Sequence, residues 1–72
     1  MFGVVLFYTS SAALRSEKLL LKEGLTVKLI PTPREYSSDC GMALRFSWSD
    51  EPCVRALLIS ANVEISSIRT LN

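Results

Sequence analysis

One thiol in this chain lies where a sulfur nucleophile would be exposed: Cys40, between the polar run Ser37-Ser38-Asp39 and Gly41. A thiolate forms near neutral pH when cations or amides surround it, and Arg34, Arg45, the Gly41 amide and the start of the first helix are the groups that could supply them. Asp39 works the other way. Pro31 and Pro33 stiffen the base of the loop, and Gly41 allows the backbone to approach an atom carried on sulfur. Ser10 and Ser11 offer helix-opening amides that can hold an anion, although hydroxyls there also serve as plain caps. Cys53 is the second thiol, at a helix start where Asp50 and Glu51 cancel the favourable dipole, and it reads as structural. On residue types alone two readings of Cys40 stand: a reactive or carrier thiol, and a small buried side chain. Arg34 and Arg45 are equally readable as solvated charges. Phe46 and Trp48 read as packing rather than a stacking platform.

Absences narrow the chemistry. The chain has no His, which removes Ser/His/Asp and Cys/His catalysis and imidazole-bearing zinc sites. Its 2 cysteines fit no Cys-x-x-Cys metal or redox spacing and are too few for a disulfide scaffold. A reduced, cytoplasmic setting fits them best. Eight Lys or Arg against 7 Asp or Glu leave a net charge of +1, too weak to hold nucleic acid or an anionic membrane through a general field. The uncharged stretch from Met1 to Leu14 carries Thr9, Ser10 and Ser11 and lacks a basic flank, so neither a signal peptide nor a membrane anchor is expected. With 72 residues, 49% of them hydrophobic, and no repeat or linker-like tract, residues 1–72 are expected to form one domain. No metal and no cofactor is expected.

The elements that must position the loop follow from periodicity. Val4-Val5-Leu6-Phe7-Tyr8 is apolar on both faces, as a central strand is. Thr9, Ser10 and Ser11 open a helix that runs to Lys22 and closes on Gly24, with Ala13 and Leu20 centring its apolar face, Ala12 and Leu21 flanking them, and Arg15, Lys18 and Lys22 opposite. Val27-Lys28-Leu29-Ile30 is a second strand, stopped by Pro31-Thr32-Pro33, and Met42 to Phe46 a third. Ser49, Asp50, Glu51 and Pro52 start a second helix whose Val54, Leu57, Leu58 and Ala61 share a face. Asn62 caps it in the left-handed region, and Val63, Ile65 and Ile68 form the fourth strand, with Glu64 and Ser66 pointing the other way.

The order β-α-β-β-α-β with right-handed crossovers predicts an α+β, ferredoxin-like split β-α-β fold: a four-stranded antiparallel sheet, strands one and three central, both helices on one face. The other face is then open, carrying Ala43, Arg45, Lys28, Glu64 and Ile30, and the apolar first strand beneath it suggests a homodimer or a ligand platform. This topology puts Cys40 at the same end of the sheet as Ser10 and Ser11. Cys53 falls at the opposite end, about 17 Å away over five strand residues, too far for a disulfide.

The residues also carry a resemblance. Phe7-Tyr8-Thr9-Ser10, Ala13 to Leu20, Val27 to Glu35 with its Pro-Thr-Pro-Arg-Glu segment, and Ser37 to Phe46 with Ser-Ser-Asp-Cys-Gly together resemble a small selenium/sulfur carrier-like family, over nearly the whole chain. Asn62 stands where that family commonly has glycine, and Cys53 is outside its pattern. The resemblance implies that Cys40 carries sulfur or selenium as a persulfide or selenopersulfide, received from a cysteine desulfurase-like donor and passed to a selenophosphate-forming or tRNA-modifying acceptor. That would make the protein a carrier with a reactive cysteine rather than a stand-alone enzyme. Arg34, Gly41, Ser10, Ser11 and Arg45 are the residues expected around the carried atom. The rival reading is a non-catalytic interaction or small-ligand-sensing module of the same fold. An RNA-binding reading ranks below both, because Met42 and Leu44 stand where stacking aromatics would be needed. A heavy-metal carrier ranks lower still, since no cysteine follows the first strand.

Overall fold

A computed structural model describes residues 1–36 and 41–71 of the chain. In order, it contains β1 (Phe2–Leu6), α1 (Ser10–Lys22), β2 (Val27–Pro31), β3 (Met42–Ser47), a single 3-10 turn (Trp48–Asp50), α2 (Glu51–Ser60) and β4 (Ser67–Leu71). The strands form one sheet in the order β2-β3-β1-β4, with every neighbouring pair antiparallel. As expected, β1 and β3 are central and the class is α+β.

Both helices cover the same face. Ala13 and Leu20 of α1 and Val54 and Leu58 of α2 are fully buried with Val5, Phe7, Leu44 and Phe46 in one core. The wheel of α1 therefore holds for its centre. It fails at one flank, where Leu21 is half exposed because α1 lies over β2 and β3 with that side turned outward.

The helix ends explain two shifted strand boundaries. Gly24 takes φ 86° and Asn62 φ 58°, and each ends its helix in a Schellman motif. After α1, Gly24 N–H donates to Leu21 O and Leu25 N–H to Leu20 O, both at 3.0 Å. After α2, Asn62 N–H donates to Ile59 O and Val63 N–H to Leu58 O, also at 3.0 Å. Val63 is thus bonded back to the helix and unable to join the ladder. The fourth strand consequently begins at Ser67 rather than Val63, and Glu64 lies on the connection instead of the open sheet face. At the chain's start, β1 is Phe2–Leu6, two residues earlier than the apolar run suggests. Its ladder stops at Leu6, paired with Ala43 and Ser67, while Phe7 leaves the sheet for the core and Tyr8 is exposed.

Gly3 is a packing requirement. A Cβ built there would lie 2.6 Å from both Phe46 Cζ and Trp48 Cε3. The two rings stack against each other with centroids 6.0 Å apart, directly over the β1 backbone, in the packing role expected for them.

Candidate functional site

The loop that carries the candidate thiol is tied to the sheet on both sides. At its base, Thr32 N–H donates to Gly41 O at 3.1 Å, extending the β2–β3 pairing by one step past Pro31 and Met42. Pro31 is tolerated here because β2 is an edge strand. Beyond it the chain turns over Pro33-Arg34-Glu35-Tyr36, with Tyr36 N–H donating to Pro33 O at 3.0 Å. Arg34 is exposed on that turn.

Tyr36 then folds back over the face that no helix covers. Its ring packs with Val4, Leu6 and Ala43, and with Ile30 and Leu71 around them. Its hydroxyl donates to Thr70 O on β4 at 2.6 Å. One side chain from the end of β2 thus reaches the far edge strand. Val4, Leu6 and Ala43 are 0%, 3% and 0% exposed although they face away from both helices. On this face Phe2, at the start of β1, is 45% exposed.

The sequence-predicted residues separate into three places. Gly41, Ser10 and Ser11 share one end of the sheet, where β1 ends and α1 and β3 begin. All three are exposed. The cap of α1 is supplied by Thr9, whose Oγ1 accepts from Ala12 N–H at 3.2 Å, so Ser10 and Ser11 are not needed for it. Arg45 points elsewhere: its guanidinium lies 4.5 Å from the centroid of the Phe2 ring, toward the opposite end of the strands. Phe2 is six rows below Gly41 by the pairing register, about 20 Å at normal strand rise. Cys53 is exposed in the first turn of α2, at that far end, and so is no core side chain. Ser37, Ser38, Asp39 and Cys40 lie outside the described residues, and with them the expected placement of the thiol.

Two features escaped the sequence reading. Arg15, expected as one of a solvated basic cluster, donates to Ala61 O at 2.9 Å and so closes the C-terminal end of α2 from the neighbouring helix. Tyr36 was not singled out at all. An aromatic in an otherwise polar loop, after two prolines, was the available signal. Among the described residues there is no group of three or more His, Cys, Asp or Glu that could hold a metal ion, and no helix is long and apolar enough to cross a membrane.

Comparison with curated proteins and with solved structures finds no match. The sequence does match a family described as "Putative Se/S carrier protein-like" over residues 2–69, which takes in both helices, the prolines, the Tyr36 turn and the Ser-Ser-Asp-Cys-Gly segment. The match leaves out only the first residue and the last three, so the chain belongs to this selenium/sulfur carrier-like family.

Proposed function

We propose that the protein carries sulfur or selenium on Cys40. The observation that carries this reading is the family match across residues 2–69, within which Cys40 is the one thiol held in a motif, Cys53 being outside it. The described geometry supports it. The Thr32–Gly41 bond lies at the end of the sheet where the α1 amides begin, and Tyr36, which precedes the Ser37–Gly41 segment, is anchored to Thr70. Carriage asks little of the protein: a thiolate, amides for the terminal anion, and access. No general base is required, which suits a chain without His.

In the loading step the Cys40 thiolate attacks the outer sulfur of a donor persulfide. The new S–S bond forms at Cys40 as the donor's S–S bond breaks, and the donor leaves as a thiolate with no net oxidation. Selenium transfers in the same way from a donor selenopersulfide. A cysteine desulfurase-like donor and a selenium- or sulfur-accepting enzyme are the partners this scheme needs, and a reducing compartment such as the cytoplasm keeps the thiol free to load. Gly41, Ser10, Ser11 and Arg34 are the groups we place around the carried atom. Arg45 is the weakest of the set, given its stacking over Phe2. A homodimer through the open face would have to use a surface whose apolar centre Tyr36 already covers.

The test is mass spectrometry after incubation with a small-molecule persulfide. The wild type gains one sulfur atom on Cys40, Cys40→Ser gains none and keeps its fold, and Cys40 alkylates faster than Cys53. Loading of Cys40→Ser, or slower alkylation of Cys40, would leave the interaction-module reading as the better one.

A further inference from the structure

Three cations stand in one register row of the face turned from the helices, Lys28 and Arg45 on one side of the buried Val4 and Arg69 on the other. Lys28 of β2 pairs with Arg45 of β3, Arg45 with Val4 of β1, and Val4 with Arg69 of β4. Alternation along each strand puts them on the same side as Ile30, Ala43 and Leu71, the side turned away from the helices. No strand contains an Asp or Glu. Among the described residues the observed ion pair is Arg55 with Glu51, within α2 and away from this face. Lys28 and Arg45 are directly opposite across the ladder, a like-charge arrangement that costs stability when nothing neutralises it. A shallow depression beside them is lined by Phe2, Thr26, Val27, Lys28, Arg45 and Ser47, combining an apolar floor with two of the cations.

We infer that this face docks an acidic, carboxylate-rich segment of a protein partner, with carboxylates along Lys28, Arg45 and Arg69 and an apolar side chain in the depression beside Phe2. The spacing suits an extended peptide. Three strand-to-strand intervals span about 14 Å, and three carboxylates on alternate residues of an extended chain span about the same. Single-stranded nucleic acid would also supply negative charge, but it is held by stacking on free aromatic rings. Here the Phe2 ring lies under Arg45, and the Tyr36 ring is packed on the sheet with its hydroxyl bonded to Thr70. The inference concerns a different surface from the Cys40 loop, and its readout involves no thiol chemistry.

The probe is a short synthetic peptide in which Glu alternates with Ser and Leu, titrated at low salt into the isotope-labelled full chain and followed by amide chemical shifts. Shifts should concentrate on Phe2, Lys28, Arg45, Ser47 and Arg69 and fade as salt screens the charges. The double variant Lys28→Gln/Arg45→Gln should bind roughly tenfold more weakly, as expected for losing charge-assisted contacts. Lys18→Gln/Lys22→Gln on α1 should bind as the wild type does. Lys28→Gln alone, at an exposed position, gives the same comparison if the double variant does not fold. Shifts centred on Arg15, Lys18 and Lys22, undiminished binding by the row variants, or tighter binding of an oligouridylate to the same row would each overturn the inference.

Discussion

Replacing Tyr36 measures how much of the fold's stability comes from the loop that carries the candidate thiol. Val4, Leu6 and Ala43 are at most 3% exposed on a face without helices, and among the described residues Tyr36, Ile30 and Leu71 pack against them. An aromatic side chain buries 150–250 Å² when fully enclosed, so a partly buried ring removes about 100 Å² of apolar surface from water, worth about 2.5 kcal/mol. Releasing the turn returns about 1 kcal/mol of backbone entropy. Tyr36→Ala, which also loses the bond to Thr70, should therefore destabilise by about 2 to 2.5 kcal/mol, and Tyr36→Phe, which loses only the bond to the accessible Thr70 carbonyl, by about 0.5 to 1 kcal/mol.

For a domain of this size those losses lower Tm by roughly 8–20 °C and 2–8 °C respectively. Trp48 is the only tryptophan, so thermal and urea unfolding can be followed by its fluorescence. Amide exchange supplies a spatial check: in Tyr36→Ala, Val4, Leu6 and Ala43 should lose protection while Leu20 and Leu58 change only by the global amount. An unchanged Tm in Tyr36→Ala, or protection of Val4 and Leu6 that survives the substitution, would refute the claim that Tyr36 seals this face.

Three further outcomes follow from single positions. Gly3→Ala puts a methyl 2.6 Å from the Phe46 and Trp48 rings, so over-packing of about 1–3 kcal/mol should outweigh the gain from removing a strand glycine and lower the urea midpoint. Ser16 is fully buried and its Oγ has no partner, so Ser16→Ala should stabilise by about 1 kcal/mol and raise Tm in calorimetry. Among the described residues nothing lies within 4 Å of a Cβ at Gly41, so Gly41→Ala should leave Tm unchanged; any fall in sulfur uptake then reports on loading rather than on folding.

Much of the architecture was legible because local chemistry and tertiary demand agree. Gly24 and Asn62 close helices in the sequence and in space, and Ala13, Leu20, Val54 and Leu58 reach the core their periodicity assigns them. The misplaced strand ends arose where the two conflict. Val63 has the composition of a strand residue, but its amide is taken by Leu58 in the Schellman motif that Asn62 closes, a local bond that outweighs its strand composition. Phe7 likewise continues an apolar run while belonging to the core beyond the ladder. For the site, the loop itself was visible from its prolines, Cys40 and Gly41. The direction of Arg45 was not, since a strand pattern fixes which face a side chain takes and not whether it leans up or down it. Tyr36 was invisible for a related reason: its partners, Leu6, Ala43 and Thr70, come from three different strands.

The open face thus divides by chemistry along the strands. Among the described residues two helices cover one side of the sheet, and no third helix lies on the other. At the end near Gly41 the sheet carries Leu6, Ala43 and Ile30, which water would penalise, and there the loop itself supplies the cover through Tyr36. The next row toward the start of β1 sets Lys28, Arg45 and Arg69 around the buried Val4, and beyond it lie Phe2 and Leu71. The same charges discourage two copies from meeting through this face, because a second row of cations would approach the first. A partner with carboxylates meets no such barrier. The cation row shares a sheet with the Cys40 loop: Ala43, in the cluster against which Tyr36 packs, lies two residues before Arg45 on β3 and two residues after Gly41.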